Sequence, residues 1–142
     1  MKMPYQALLK EGKIKVHQAS PEEIKDIIEI ADRDLSFAKE AMAHNWDWAF
    51  TIAYNAALSA SRAYMFKTGY RPSSAESHKT IWSFMLLALP GGQHDRIHFF
   101  NHMRVKRNRN LYDHAGLISE TEGRQIINSA EKHIEVIKKL LL

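Results

Sequence analysis

The sequence predicts an all-α protein, an up-and-down antiparallel bundle of about five helices. Apolar residues recur three and four positions apart along most of the chain, which is the period of a helix with one buried face. Capping residues and glycine or proline breaks separate these segments at short intervals, as expected for antiparallel neighbours. No segment shows the two-residue alternation of a half-buried strand.

Length and composition indicate one compact domain. The 142 residues are 45% hydrophobic and 25% charged, a balance typical of a globular chain that buries its own core. We therefore expect residues 20–142 to form a single helical bundle, and residues 1–19 to be an N-terminal extension that packs loosely on it.

Local signals mark the first two helices of this bundle. Ser20 can cap a helix, Pro21 fits its first turn, and Glu23 completes a capping box with the serine. Asn45 can cap a second helix over residues 46–67, which is apolar or small nearly all round and is predicted to be the most buried element. The inner face of the first helix is predicted to be Ile24, Ile27, Ile28, Ala31, Leu35, Ala38 and Met42.

Three further helices are predicted in the second half of the chain. A short, heavily buried helix covers residues 78–89, and a fourth runs from about 94 to 113 with its arginines facing outward, to solvent or to a partner chain. Ser119 and Glu122 form a second capping box, which opens the fifth. The predicted inward positions are Ile97, Phe100, Met103 and Leu111 on the fourth helix and Ile126, Ile127, Ala130, Ile134, Ile137 and Leu141 on the fifth.

Two absences from the sequence narrow the function classes. Without cysteine, the chain can form no disulfide, no thiolate nucleophile and no cysteine-type zinc site. No stretch reaches the roughly 18 apolar residues of a membrane span, and the first residues contain no apolar run of signal length. We therefore expect a cytoplasmic protein that does not enter a membrane.

Charge is distributed unevenly along a chain whose net charge is +4. Residues 20–40 hold seven acids against three bases, so the first helix is acidic. Residues 94–114 reverse the balance. The bases of this second stretch are Arg96, Arg104, Lys106, Arg107 and Arg109.

The segment RNLYDH, Arg109 to His114, is the candidate for chemistry. Arginine is a permanent cation whose donors fit phosphate oxygens, and histidine exchanges a proton near neutral pH. Arg107, Asn110 and His114 fall in one column of a helix, and the long side chain of Arg109 could reach the same pocket. The residues alone leave a second interpretation open, a solvated helix end whose cations face the exposed carbonyls. With 8 Arg and 8 His in the chain, this spacing is expected about 0.45 times by chance.

Other polar and aromatic groups have two interpretations as well. His94, His98 and His102 form a column that could share a zinc ion, but the glutamate of the metalloprotease pattern is missing, and partly buried packing histidines are the favoured interpretation. Tyr54 and Asn55 are predicted to make hydrogen bonds in the core, with a substrate contact as the alternative. The tryptophans Trp46, Trp48 and Trp82 could stack on bases, but core or dimer-interface positions are favoured.

Taken together, these features resemble the HEPN family, small all-helical proteins named for higher eukaryotes, prokaryotes and nucleotide binding. The resemblance rests on motifs that occur in the family's order: AYNAALSASRAY in the second helix, the turn GYRP, then SHK, and RNLYDH at the end of the fourth helix. The family's hallmark is an arginine, four to six residues, then a histidine, with a polar residue usually directly after the arginine. Asn110 fills that place.

The resemblance implies a function. Many members of the family are ribonucleases that need no metal or other cofactor, often toxins or defence effectors, and they act as homodimers whose two motifs line one cleft. By analogy, His114, Arg109 and Asn110 would be catalytic. The expected partners are RNA, a second copy of the chain and, for a toxin, an antitoxin. The expected RNA-binding residues are Arg104, Lys106 and Arg107.

One position departs from a branch of the family and keeps an alternative function open. Toxins silenced by a nucleotidyltransferase carry a tyrosine two residues beyond the histidine, where this chain has Gly116. Silencing by tyrosine modification is therefore not implied. Because other members have lost activity or serve as binding modules, a non-catalytic nucleotide- or RNA-binding adaptor is the alternative function.

Overall fold

The computed structural model describes residues 4–74, 78–113 and 115–142, which form a helical bundle. The predicted fold class is confirmed, and α2 to α6 are the five helices expected from the sequence. A 3-10 turn, Gly91–Gln93, joins α4 to α5, and the short strands β1 (Ile14–Val16) and β2 (Tyr70–Pro72) pair antiparallel. The helices within the described ranges are α1 (Gln6–Lys10), α2 (Pro21–Ala41), α3 (Trp46–Thr68), α4 (His78–Ala88), α5 (His94–Tyr112) and α6 (Glu120–Leu141).

The helices begin and end at the local signals in the sequence. The side chains of Ser20, Asn45 and Ser119 each accept a hydrogen bond from a backbone N–H in the first turn of the helix that follows. Gly69 ends α3 with a φ of 97°, a left-handed conformation that favours glycine because it has no Cβ. None of the helices in the described ranges is long and apolar enough to cross a bilayer.

The α3 helix lies at the centre of the bundle and packs mainly against α2 and α6. Its fully buried alanines have small side chains, which lets neighbouring helix axes approach closely. Phe50, Tyr54 and Met65 fill the remaining volume and are also fully buried. The fully buried alanines of α3 are Ala49, Ala53, Ala56, Ala57, Ala60 and Ala63.

Part of the N-terminal extension packs more closely than the sequence suggested. Leu8 and Ile14 are 8% and 2% exposed, and Ile14 lies opposite Pro72 in the two-stranded sheet. Each strand has only three residues, too short for an alternating pattern to be recognisable in the sequence. The pairing depends on the chain direction after Gly69, which brings β2 beside β1.

A buried polar chain joins α3, α5 and α6. Arg96 Nε donates to Nδ1 of His133 at 3.0 Å, and Nε2 of His133 lies 2.8 Å from Ser61 Oγ. Because Nδ1 accepts, the ring proton is on Nε2 and is donated to Ser61, whose hydroxyl donates to the Ala57 carbonyl at 3.0 Å. Burial, together with the positive charge of Arg96, lowers the pKa of His133 to about 3. The imidazole is therefore neutral and holds the helix that carries the motif against the core.

We predict that mild acid weakens the fold through His133. The pKa of this imidazole is about 3 in the folded protein and 6.5 when unperturbed, so the unfolded chain takes up the proton first. The stabilisation that comes from the neutral His133 imidazole is fully present above about pH 6.5 and is lost as the pH falls toward 3. Urea unfolding should show a free energy about 1 kcal/mol lower at pH 5.5 than at pH 7.

The His133→Gln variant is the control, because glutamine can donate and accept hydrogen bonds but does not titrate. Its free energy of unfolding should be lower than that of wild type at pH 7. Between pH 7 and 5.5, this free energy should change much less than it does in wild type. An unchanged pH dependence in this variant would show that other groups are responsible.

Candidate functional site

The predicted motif lies at the C-terminal end of α5, beside the N-terminal end of α3. The contact of Arg107 with Asn55 and that of Gly116 with Asp47 show that the two helices run antiparallel here. His114 lies outside the described residues. The other candidate residues, all on α5, are Arg104, Lys106, Arg107, Arg109 and Asn110.

Arg107 faces the central helix. Its Nη2 donates to Asn55 Oδ1 at 3.4 Å, and its guanidinium carbon lies 5.6 Å from the centre of the Tyr54 ring, within the range of a cation–π interaction. Its Nε is buried and has no hydrogen-bond partner in the described part of the protein. Arg107 is half-buried, because α3 offers it an amide oxygen and an aromatic face, and its expected presentation to solvent or to a partner chain stays a prediction.

Asn110 shares the α3-facing side of α5 with Arg107. It follows Arg107 by three residues, and its Oδ1 is buried without a hydrogen-bond partner among the described residues. Thr51 is 3% exposed, one turn before Asn55 on α3, and its hydroxyl is also unpartnered there. Because the helices are antiparallel, the turn with Thr51 lies opposite the turn with Asn110. Between them, α3 and α5 thus bury polar atoms that could still accept or donate a hydrogen bond.

Tyr54 supports this side of the site from the core. Its hydroxyl oxygen accepts a hydrogen bond from Trp82 Nε1 at 3.0 Å and lies 3.3 Å from His78 Nδ1. Burial raises the pKa of Tyr54 to about 12, although the Trp82 hydrogen bond and the charges of Arg107 and Arg104 act in the opposite direction. The phenol is therefore neutral near pH 7 and supports Arg107 without acting as a base.

Arg104 lies on the same side of α5 as Arg107. Its Nε donates to Asn101 Oδ1 at 3.2 Å, one turn earlier on the helix. Its positive charge also lowers the pKa of Tyr54, as does that of Arg107. Like Arg107 it is half-buried, so part of its side chain remains accessible to solvent or to a partner chain.

Arg109 points to a different side of α5. It is exposed and lines an open groove of about 290 Å³. Lys106, in the same groove, forms an ion pair with Glu122 at the start of α6, and that hydrogen bond is the main reason why the pKa of Glu122 is lowered. The structure therefore brings Arg107 and Asn110 together and places Arg109 and Lys106 apart from them. The groove is lined by His102, Val105, Lys106, Arg109 and Leu117.

Asp47 holds the loop that follows His114. Its Oδ2 accepts a hydrogen bond from the Gly116 amide at 2.6 Å, and its Oδ1 accepts one from the Ile118 amide at 3.3 Å. Sequence reasoning did not select this residue. An acid in the first turn of a helix is explained by the helix dipole alone, and no local pattern pointed to a loop 69 residues further along the chain.

Two helix starts meet beside this loop. Gly123, in the first turn of α6, lies against the ring of Trp46, and a Cβ on that glycine would overlap the ring. The absence of a side chain at Gly123 therefore lets α6 begin close to α3. Arg124 adds a guanidinium 5.4 Å from the centre of the same ring. The ends of the loop are thus anchored on both α3 and α6.

Two aromatic side chains are exposed at this end of the bundle. Trp48, in the first turn of α3, is 57% exposed, and Tyr112, in the last turn of α5, is 77% exposed. Trp82, in contrast, is fully buried in the core. The three tryptophans therefore differ in role, and Trp48 is the exposed one among them.

Of the three histidines in the column on α5, His94 is partly buried, as expected, whereas His98 and His102 are exposed, so the expectation of partly buried packing histidines is wrong for these two. His94 Nε2 donates to the Leu89 carbonyl at 2.9 Å, which ties the start of α5 to the end of α4. The rings of His94 and His98 are 6.5 Å apart and roughly perpendicular. In the ranges that the structure describes, no group of three or more His, Cys, Asp or Glu is placed to hold a metal ion.

Comparisons with known proteins agree with the fold. A sequence model of the HEPN domain matches residues 24–140. The crystal structure of an archaeal HEPN homologue is similar with a TM-score of 0.66 and 20% identity, over 84% of this chain and 98% of that chain; at this identity, the likeness concerns the fold. A search among curated proteins gave no match. Because the domain match spans most of the bundle, this chain belongs to the HEPN domain family.

Proposed function

We propose that this protein is a metal-independent endoribonuclease that cleaves RNA by attack of a ribose 2′-hydroxyl on the adjacent phosphodiester. The observation that carries the proposal is the collection of cations at the end of α5, with Asn110 and the segment containing His114. Arg107 and Arg109 face different sides of that end, so a strand of RNA could be contacted at more than one phosphate. Membership of the HEPN family supports an RNA-related role.

The proposed reaction uses groups of this chain only. His114, neutral near pH 7, takes the proton from the 2′-hydroxyl as a general base. The 2′-oxygen attacks phosphorus, the bond to the 5′-oxygen breaks, and that oxygen takes up the proton that His114 has accepted, which returns the histidine to its neutral form. Arg109 holds the phosphate, whose oxygens gain negative charge as phosphorus becomes five-coordinate, and Asn110 orients the histidine or the phosphate by hydrogen bonding.

The other basic residues bind the flanking RNA in this proposal. Arg107 and Arg104 present their charge from the α3-facing side of α5, and Lys106 lies in the groove with Arg109. Such phosphate contacts position a strand without reading its sequence. Cleavage of cytoplasmic RNA would suit a toxin or defence effector, whose activity an antitoxin partner would restrain.

A homodimer is part of the proposal. One copy of the motif supplies one base and one arginine, whereas a twofold axis would double both in a single basic cleft. The exposed Trp48 and Tyr112, together with Val105 at 50% exposure, offer apolar surface at the same end of the bundle as the motif. Aromatic residues with this exposure are typical of the buried centre of an interface.

We predict metal-independent cleavage with defined ends. Purified protein incubated with mixed RNA in excess chelator should give 5′ fragments that end in a 2′,3′-cyclic phosphate, because the 2′-oxygen is the nucleophile. DNA and 2′-O-methyl RNA should remain intact. His114→Ala should lower the cleavage rate about 10²- to 10⁴-fold, and Arg109→Ala about 10²- to 10³-fold.

Matched controls are available for both variants. His44→Ala and Arg33→Ala change residues on or just after α2 that are exposed or pair with a neighbour and should cleave at the wild-type rate. Wild-type activity in His114→Ala, or cleavage only with added divalent metal, would contradict the mechanism. RNA binding that weakens steeply with salt and yields no fragments would support the adaptor function instead.

The two arginines near the histidine should have separable effects. Four residues lie between Arg109 and His114, and six lie between Arg107 and His114, so both satisfy the family spacing. In kinetic assays, Arg109→Ala should mainly lower kcat, because it removes a contact to the reacting phosphate. Arg107→Ala should mainly raise KM and reduce the salt dependence of RNA binding. The reverse pattern would assign the reacting phosphate to Arg107.

The dimer can be tested without RNA. Light scattering of the wild-type protein at micromolar concentration should give the mass of two chains, and a double Trp48→Ala, Tyr112→Ala variant should shift toward one. Val16→Ala is the control, since Val16 is 71% exposed and pairs with Tyr70, just after the end of α3 opposite to Trp48. A monomeric wild-type protein would contradict the proposal.

A further inference from the structure

Asp47 joins two parts of the chain that carry different halves of the proposed site. It lies in the first turn of α3, eight residues before Asn55, which accepts a hydrogen bond from Arg107. Its carboxylate accepts the hydrogen bonds of Gly116 and Ile118, in the loop that begins directly after His114. A single side chain thus connects the helix that holds Arg107 to that loop.

Asp47 is not needed as the N-cap of α3, because another residue caps this helix. Asn45 is the N-cap, and its Oδ1 accepts the Trp48 amide at 2.9 Å. An acid in the first turn adds a favourable interaction with the helix dipole, but this does not require contact with a distant loop. Both carboxylate oxygens of Asp47 are instead directed to the amides of Gly116 and Ile118.

The loop turns at Gly116, whose φ of 76° lies in the left-handed region that favours glycine. The amides of Gly116 and Ile118 both donate to the carboxylate of Asp47. Hydrogen bonds from backbone amides to a carboxylate are charge-assisted and stronger than those between neutral groups. Two residues can span at most about 7 Å, so fixing Gly116 restricts where residue 114 can reach.

We propose that Asp47 is a positioning residue that sets the place of His114 relative to the arginines of α5. This inference rests on the proposed function, because the benefit of a fixed histidine is catalytic. Asp47 does not touch RNA in the proposal. It acts through the loop backbone, and a catalytic base displaced by about 1 Å can lose about 10²-fold in rate.

The test compares Asp47→Ala and Asp47→Asn with the control Asp95→Ala in the full-length protein. Asp95 is also an acid in the first turn of a long helix, α5, and it is exposed. Asp47→Ala should lower kcat about tenfold to a hundredfold, with KM within about twofold of wild type. Asp47→Asn, which keeps acceptor oxygen but loses the charge, should fall between Asp47→Ala and wild type. Asp95→Ala should cleave like wild type.

A second measurement does not depend on activity. Amide hydrogen exchange at Gly116 and Ile118, followed by NMR, should be slow in wild type and faster in Asp47→Ala, while the amides of Ala130 and Ile134 on α6 keep their protection. Wild-type kcat in Asp47→Ala would overturn the proposal, and so would a loss of kcat with unchanged exchange at Gly116 and Ile118. A loss of protection throughout α6 would show general unfolding and also count against a positioning role.

The outcomes separate this inference from the proposed function. If the wild-type protein cuts no RNA under any condition, the ribonuclease proposal fails, and faster exchange at Gly116 and Ile118 in Asp47→Ala would still establish the anchor. If wild type cuts RNA but Asp47→Ala behaves like Asp95→Ala in both measurements, the ribonuclease proposal stands and the positioning role of Asp47 is wrong.

Discussion

The central position of α3, which buries more than half of its residues, governs how the other helices pack. Its alanines let α2 and α6 approach closely, but a helix surrounded by neighbours cannot leave its polar side chains to water. Several of its buried or half-buried polar side chains bond to other elements, whereas the Thr51 hydroxyl has no partner among the described residues. Ser61 bonds to His133 on α6, Tyr54 to Trp82 on α4, and Asn55 to Arg107 on α5. The polar groups of α3 therefore hold the surrounding helices in place.

The candidate site is a consequence of this arrangement. Arg107 is drawn toward α3 by the amide of Asn55 and the ring of Tyr54, and Arg96 is fixed by the neutral His133. Both arginines belong to α5, so this helix is attached to the core by charged side chains as well as by apolar ones. A basic helix would otherwise tend to be a purely solvated element. Here its attachment brings part of the positive charge to the boundary between core and solvent, where the field of a cation is less screened.

Helix geometry directs the two arginines of the motif region, Arg107 and Arg109, to different sides of α5. Side chains two residues apart are rotated by about 200° around the helix axis. Arg107 accordingly faces α3, whereas Arg109 faces an open groove. In the proposed ribonuclease, they would contact different phosphates, or one of them would face a second copy of the chain. Trp48 and Tyr112, exposed at the same end, give such a copy an apolar surface to bind.

Local chemistry made much of the fold predictable. Ser20, Asn45 and Ser119 cap the helices that they were expected to start, and Gly69 ends α3, because capping depends on atoms only a few residues apart. The inner faces of α2, α5 and α6 follow from helical periodicity in the same way. The motif could also be located, since the order of its residues and its place at the end of α5 are properties of the sequence.

The helices, their buried faces and the family of the chain follow from local patterns in the sequence, whereas the partners of the polar residues depend on the tertiary structure. Arg107 lies against Asn55, 52 residues away, and Asp47 holds Gly116, 69 residues away. His133 meets Ser61 across 72 residues, and β1 pairs with β2 although neither is long enough to show a pattern. These contacts depend on the packing of whole helices around α3. A local periodicity or a short motif does not predict which distant side chain will be the hydrogen-bond partner.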